Sequence, residues 1–140
     1  MKTEGIISLI STIRDKANRF IFHELKARGI TDIVPAHGGI FVHLFRNREL
    51  PMGEIARLID RDKSTVTTLV EKLVKLGYLK REKDPDDHRV TIVRLTKEGK
   101  VLEADFENIS KELLKCVYTG FSDQEKEMAI QLLARIKSNF

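Results

Sequence analysis

The chain has 140 residues, of which 41% are hydrophobic and 33% charged, and its formal net charge is +4. This length is typical of one domain with a real core; no apolar run reaches the roughly 20 residues of a membrane helix, and no secretory signal is recognisable, so we expect a cytoplasmic protein. The single cysteine and the lack of metal-ligand spacing exclude a disulfide scaffold and a zinc finger, and the small positive charge permits an anionic partner.

The first half of the chain contains four stretches with apolar residues at three- and four-residue spacing, the period of an amphipathic helix. Prolines, glycines and the N-cap residue Asp62 mark their ends. A long first helix, a second helix beginning at Pro35, a short third helix and a fourth helix ended by Gly77 are therefore predicted. The first, second and fourth are expected over 3–26, 35–45 and 63–76, and the third is a two-turn helix after Pro51 that carries Ile55, Ala56, Leu58 and Ile59.

After Gly77 the hydrophobic period changes from 3.6 to 2, which predicts two strands, 78–83 and 90–95, joined by the turn-rich segment DPDDHR. Thr96 is placed to cap a long helix over 97–118. Ser122 and Glu125 are spaced as a capping box for a last helix over 122–138. The predicted fold class is mainly α with a small β-hairpin, in the order of four helices, two strands and two helices.

Two short helices joined by a polar turn and followed by a hairpin form a winged helix-turn-helix, in which the second helix of the pair reads DNA. On that helix Val66, Leu69, Val70 and Leu73 are expected to face inward, which leaves the hydroxyl-rich side outward. The segment 65–68 contains four β-branched residues in a row, a conflict with helix propensity that often marks a functional site. Such hydroxyls can contact phosphates or base edges, although a solvated helix face is the alternative explanation.

The hairpin loop is acidic, which is unusual for a segment that would approach a polyanion. Asp87 lies two residues before Arg89, so its carboxylate can hold the guanidinium by paired hydrogen bonds and orient it, while Pro85 stiffens the loop. An oriented arginine suits a narrow minor groove. The alternative is a polar hairpin tip with an incidental ion pair.

The segment from Asp62 to Gly99 resembles the recognition helix, wing and following helix start of the MarR family of transcription regulators. The wing pattern Asp-x-Arg, a strand and then Leu-Thr-x-x-Gly is matched by Asp87, Arg89, Leu95, Thr96 and Gly99. The resemblance implies that the terminal helices form a homodimer, that the fourth helix enters the major groove, and that Arg89 enters the minor groove. His88 departs from the arginine or lysine frequent at the wing tip, so the charge of the tip is expected to depend on pH.

Geometry also favours a homodimer, because two helix-turn-helix units about 34 Å apart are needed to read a palindrome. The expected organisation is a single domain 1–140, with the DNA-binding region at 35–95 and dimerisation helices at 1–30 and 97–140. If the terminal helices only covered a monomer's core, this expectation would fail. The residues expected to contact DNA are Arg61, Lys63, Ser64, Thr65, Thr67, Thr68, Lys72, Asp87, His88 and Arg89.

Other chemistries find little support in the sequence. The four histidines do not form HxxxH or HExxH, and the zinc ligands of some relatives in the resembling family are not assembled here, so no metal or cofactor is expected. Cys116 lies on an apolar helix stripe and is expected to pack in the core; the family's peroxide sensors carry their cysteine near the N-terminal helix instead. No nucleophile elbow or phosphate loop is present, so catalysis is not expected.

The sequence therefore predicts a homodimeric, sequence-specific DNA-binding regulator, most simply a repressor of a palindromic operator, with release by a small-molecule effector implied by the resemblance. Its partners would be double-stranded DNA and a second copy of itself, with no membrane. An interaction-only winged helix that docks proteins or RNA is the alternative, but such a module would not need the Asp-x-Arg wing.

Overall fold

The helices and the hairpin lie close to their predicted positions. The structure is a computed structural model that describes residues 2–140; Met1, the first residue of the predicted dimerisation segment 1–30, lies outside the described residues. The helices are α1 Ile6–Ala27, α2 Gly38–Asn47, α3 Met52–Ile59, α4 Lys63–Lys75, α5 Lys97–Val101, α6 Glu103–Val117 and α7 Asp123–Ser138. The strands are β1 Glu49–Pro51, β2 Leu79–Lys83 and β3 Thr91–Leu95.

Three of the predicted helix ends have the expected chemistry. The Thr96 hydroxyl accepts the N–H of Gly99 at 3.1 Å, and the Ser122 hydroxyl accepts the N–H of Glu125 at 3.1 Å. Gly77 follows α4 with φ +86°, a conformation that glycine adopts without strain. Local sequence signals therefore fix where α4 ends and where α5 and α7 begin.

One strand, β1, was not predicted from the sequence. β1 pairs antiparallel with β3, so the sheet has three strands in the order β1-β3-β2 rather than the two of the predicted hairpin. With three residues, one of them Pro51, β1 is too short to show alternation, and proline is tolerated there because β1 is an edge strand.

The helix predicted over 97–118 is interrupted at Leu102, and the helix predicted from Pro35 begins as a 3₁₀ turn, Pro35–His37. The N–H of Leu102 bonds to the carbonyl of Gly99 at 3.2 Å, three residues back, which tightens the backbone between α5 and α6. Amphipathic spacing runs through both places because one tight turn leaves the apolar stripe intact.

The buried core lies mainly in the segment between Ile30 and Leu95. Phe41 packs edge-to-face on Phe106, with ring centroids 5.0 Å apart, which joins the core of this segment to α6. Helix α4 contributes Val66, Val70 and Leu73, which are fully buried as predicted, while Leu69, also predicted to face inward, is half-buried. Helix α4 is therefore held by its inner face, and its orientation is set by the core.

The terminal helices bury little within one chain. Helix α7 has no buried residue, while α1 and α6 bury only Leu25 and Ile109 respectively. An apolar groove runs between α1, α6 and α7; it is lined by Ile13, Ala17, Phe20, Leu113, Cys116, Val117, Tyr118, Phe121, Ala129, Ile130 and Leu133, with Lys16 at its edge. Among residues 2–140, no helix combines the length and the apolar character needed to cross a bilayer.

The prediction that Cys116 packs in the core is wrong for the single chain, because its side chain is exposed in this groove. The apolar stripe of α6 was correctly identified, but the surface that it faces is open rather than covered by the chain's own core. A stripe of this kind cannot by itself distinguish an internal partner from an external one.

A close backbone contact joins the predicted DNA-binding segment to α5. A Cβ at Gly99 would lie 2.2 Å from the carbonyl oxygen of Tyr78, so only glycine fits there. Thr96 donates its hydroxyl to the carbonyl of Gly77 at 2.6 Å and its N–H to the carbonyl of Tyr78 at 3.0 Å. The start of α5 is thus bonded to the two main-chain carbonyls that follow α4.

Candidate nucleic-acid interface

Helices α3 and α4 form the helix-turn-helix. Three residues connect them, and the first, Asp60, adopts a left-handed conformation with φ 54° and ψ 52°, which aspartate tolerates better than most residues. The turn brings the N-terminal end of α4 to the surface. Arg61, Lys63 and Ser64, all predicted to contact DNA, are exposed there.

The outward side of α4 is a row of hydroxyl groups. Ser64 and Thr68 are exposed, whereas Thr65 and Thr67 are half-buried. Thr67 donates its hydroxyl to the carbonyl of Lys63 at 2.8 Å, and Thr68 donates its hydroxyl to the carbonyl of Ser64 at 3.1 Å. These bonds to the preceding turn explain how β-branched residues are accommodated in this helix.

Asp62 occupies the N-cap position of α4, as predicted, but it bonds differently from a standard cap. Its carboxylate makes no cap bond to the helix backbone and accepts the hydroxyl protons of Ser64 and Thr65 instead. These two bonds lower the pKa of Asp62 below its usual value. The carboxylate is therefore ionised at neutral pH and acts only as an acceptor.

The wing holds the arrangement that the Asp-x-Arg spacing predicts. Asp87 accepts Nε of Arg89 at 3.0 Å, Nη2 of Arg89 at 3.2 Å and the N–H of Arg89 at 3.1 Å. The bond from the Arg89 side chain is the main cause that lowers the pKa of the Asp87 carboxyl. The Arg89 side chain is nevertheless 91% exposed, so the guanidinium is fixed in direction while it remains open to a partner. His88, between the two, is also exposed.

A basic groove separates the wing from α4, and sequence reasoning missed two of its residues. Arg81 and Lys83 on β2 line it together with Lys63, Thr67 and Arg89. Arg81 also forms an ion pair with Glu71 of α4 at 3.2 Å, which connects the wing to α4. The signal in the sequence was the two-residue spacing of Arg81 and Lys83, which places both on one face of a strand.

The other face of the sheet fixes the base of the wing. Arg94 on the central strand bonds Glu49 of β1 at 2.9 Å and Glu82 of β2 at 2.7 Å. One guanidinium therefore spans all three strands, and the strand that the sequence missed supplies one of its carboxylates. The wing is held on both faces, by Arg81 toward α4 and by Arg94 on the outside.

A buried histidine lies near Lys72, a predicted DNA contact that is exposed on α4. His37 is 1% exposed, and its Nδ1 accepts the N–H of Val34 at 3.1 Å. Burial, and secondly the charge of Lys72, lower the pKa of His37, while Asp32 opposes them. Asp32 also accepts the hydroxyl of Tyr78 at 3.0 Å, so this cluster links the loop before α2 to the end of α4.

An apolar cavity of about 240 Å³ lies between α1, α2 and α6, next to the same loop. Ile33, Val34 and Pro35 form one wall, and Phe106 and Leu113 form another. Sequence reasoning identified no effector-binding residues, because the cavity is assembled from three helices distant in the chain. Among residues 2–140, no three histidine, cysteine or acidic side chains are grouped as metal ligands would be.

Comparison with known proteins finds relatives of this chain by sequence. A sequence model described as MarR family matches residues 28–90. An uncharacterised HTH-type transcriptional regulator of Bacillus subtilis, YcgE, is 30% identical over 122 residues, 82% of this chain and 74% of the relative. The HTH-type transcriptional repressor YetL of the same organism is 28% identical over 123 residues, 86% of this chain and 72% of the relative.

Two solved structures share the fold over almost the whole chain. A mutant MarR from E. coli complexed with operator DNA gives a TM-score of 0.82 at 20% identity, covering 97% of this chain and 99% of that one. The S. aureus MepR–DNA complex gives 0.85 at 22% identity, covering 100% of this chain and 99% of that one.

Proposed function

The chain belongs to the MarR family of transcription regulators, and from this premise we propose that it is a homodimer that binds a palindromic operator and represses transcription until an effector releases it. Helix α4 would enter the major groove and the wing the flanking minor groove. The segment 35–95 would be the DNA-binding region, and 1–30 and 97–140 the dimerisation helices. Acting on DNA, the protein would work in the cytoplasm and would not be an enzyme.

The observation that carries the proposal is the orientation of Arg89 by Asp87. The side chain of Arg89 is 91% exposed, yet two guanidinium nitrogens are held by one carboxylate. An exposed arginine usually loses considerable rotamer entropy on binding, and this pairing removes part of that loss in advance. A protein- or RNA-docking winged helix has no comparable need for a fixed cation beside a hydroxyl-bearing helix. The structural neighbours solved with DNA support the same assignment.

The homodimer is supported by the open groove between α1, α6 and α7. Large apolar side chains that one chain leaves exposed, such as Ile13, Ile130 and Leu133, are costly in water and suit a two-fold interface. Two copies would also place two α4 helices for successive major-groove faces of a palindrome, about 34 Å apart.

The effector response is supported by the cavity between α1, α2 and α6. Its lining is mostly apolar, and it touches both a predicted dimerisation helix and the loop that leads into the DNA-binding segment. A small apolar or aromatic compound there would contact both parts of the molecule, so it would favour one relative arrangement of them.

Selection from random duplex DNA with the purified chain tests the proposal. We expect enrichment of a palindrome with half-sites one helical turn apart. Lys72→Ala should then weaken binding to all sequences alike and flatten the salt dependence by roughly one unit, whereas Thr68→Ala should relax preference at one position of each half-site. Enrichment of no sequence, or tighter binding to RNA than to the duplex, would contradict the proposal.

A further inference from the structure

The hydroxyl groups on the first two turns of α4 already donate hydrogen bonds within the chain. Thr67 and Thr68 donate to main-chain carbonyls of the preceding turn, at 2.8 and 3.1 Å. Ser64 and Thr65 donate to the Asp62 carboxylate. All four hydroxyls on the first two turns of α4 are therefore donors toward their own chain.

This arrangement restricts what the hydroxyls can offer to a partner. A hydroxyl has one proton to donate and two lone pairs that accept, so these four groups present lone pairs outward. Phosphate oxygens, purine N7, guanine O6 and thymine O4 are acceptors, and none of them complements a lone pair. The donors in the major groove are the amino groups of adenine and cytosine.

We propose that the hydroxyls of α4, Thr68 first among them because it is exposed, read sequence as acceptors from adenine or cytosine amino groups rather than as donors to phosphate. Asp62 is then a positioning residue, since it fixes the polarity of Ser64 and Thr65. Phosphates would be bound by the lysines and arginines around this row. The inference rests on the proposed function and specifies how the DNA surface reads its operator.

Single-atom changes in the DNA test this polarity. Duplexes carrying the selected operator are prepared with one adenine or cytosine of each half-site replaced by a base that lacks only the amino group, purine for adenine and 2-pyrimidinone for cytosine. Parallel duplexes carry 7-deazaadenine, which lacks only an acceptor. At the position read by Thr68, removal of the amino group should weaken binding roughly three- to tenfold, as expected for one hydrogen bond, whereas 7-deazaadenine should bind like adenine.

Two matched variants connect the effect to the hydroxyl. Thr68→Val keeps the shape and the β-branch but has no oxygen, so it should lose affinity by a similar factor and become insensitive to the missing amino group. Thr68→Ser keeps the hydroxyl and should remain sensitive. A loss with 7-deazaadenine and none with the amino-free bases would overturn the inference, and so would Thr68→Val binding that retains full sensitivity to the amino group.

Asp62 is tested by the sign of its effect. Asp62→Ala removes a negative charge beside DNA, so it should maintain or raise affinity for non-specific duplex, while it relaxes base preference where Ser64 and Thr65 read. Asp62→Asn keeps a carbonyl acceptor and should restore part of that preference. Unchanged base preference in Asp62→Ala would overturn the positioning role. If the selection from random DNA enriches no sequence at all, the proposed function fails, and this inference fails with it. If an operator is selected but its binding does not depend on the adenine or cytosine amino groups, the inference alone is refuted.

Discussion

The predicted DNA-binding segment and the terminal helices use apolar residues in opposite ways. Helix α4 buries Val66, Val70 and Leu73 completely within its own chain, whereas α7 buries no residue and leaves Ile130 56% exposed. The first region packs around a core within its own chain, whereas the apolar side of α7 in the second region is left uncovered. The contrast explains why a helix can carry the same hydrophobic periodicity in both regions and still serve folding in one and assembly in the other.

The largest expected effect comes from preventing a second copy from covering the apolar groove between α1, α6 and α7. Leu133→Lys places a charge in the groove between α1, α6 and α7, where a second copy would bury it, so we expect monomers in light scattering. Operator affinity should fall by roughly 100-fold or more because the two half-sites are no longer bound together. Val101→Lys is the matched control: Val101 is 71% exposed and lies outside the groove, so the dimer should persist. A dimeric Leu133→Lys would contradict the assignment of this surface.

The next effect tests the closed core. Val70→Ala removes two methyl groups from a fully buried site on α4 and should lower the free energy of unfolding by roughly 1.5–3 kcal/mol. Val101→Ala makes the same change at an exposed site and should stay within about 0.5 kcal/mol of the original chain. Urea denaturation at one fixed protein concentration measures both. Equal effects would mean that the two regions do not differ as described.

The wing gives a smaller effect with an informative sign. Arg89→Ala should weaken operator binding by about 1–3 kcal/mol without changing the melting temperature, since an exposed loop side chain contributes little to the core. Asp87→Ala should also weaken binding, although it deletes a negative charge near phosphate, because Arg89 loses its fixed direction.

Asp86→Ala is the control for that sign. It removes the same charge from the same loop, but Asp86 has no ion pair with an arginine among residues 2–140, so binding should stay equal or become tighter. Titration of operator duplex against the three variants at one salt concentration separates the effects. Tighter binding by Asp87→Ala would reduce Arg89 to an ordinary surface cation.

The smallest effect concerns pH and the buried His37. Burial first, and Lys72 second, lower the pKa of His37 in the folded chain, so the unfolded chain binds a proton more readily. The free energy of unfolding should therefore keep its full value above pH 6.5, the ordinary pKa of histidine. It should decrease as the pH falls from there toward the lowered pKa of His37. His37→Gln should flatten this slope in urea denaturation between pH 5 and 8, and His88→Gln, at the exposed wing tip, should preserve it. An unchanged slope in His37→Gln would refute the assignment to His37.

Sequence reasoning identified the features that depend on nearby residues. Helix periodicity, the caps at Thr96 and Ser122, the glycine after α4 and the pairing of Asp87 with Arg89 all depend on residues a few positions apart. The family assignment from the wing pattern is confirmed by the comparisons.

Features built from distant segments were not accessible in this way. The sequence missed β1 because three residues carry no period, and it placed Cys116 in a core because a stripe does not show what covers it. It also missed Arg81 in the basic groove and His37 in its buried cluster, since both acquire their surroundings from other elements. The contacts to DNA themselves stay predictions.

Gly99 has a consequence for DNA, although it is far from the recognition row in sequence. With only a hydrogen where other residues have a side chain, α5 rests directly on the main chain at Tyr78, immediately beyond the end of α4. No layer of side chains separates the two, so none can absorb a change in their distance. In the proposed dimer this contact would hold α4 at a fixed place relative to the dimerisation helices, and would therefore help to set the separation of the two α4 helices and of the half-sites that they read. A methyl group added at this position would lie 2.2 Å from the Tyr78 carbonyl oxygen, so α5 and the end of α4 would have to move apart, and we expect the spacing of the preferred operator to change with them.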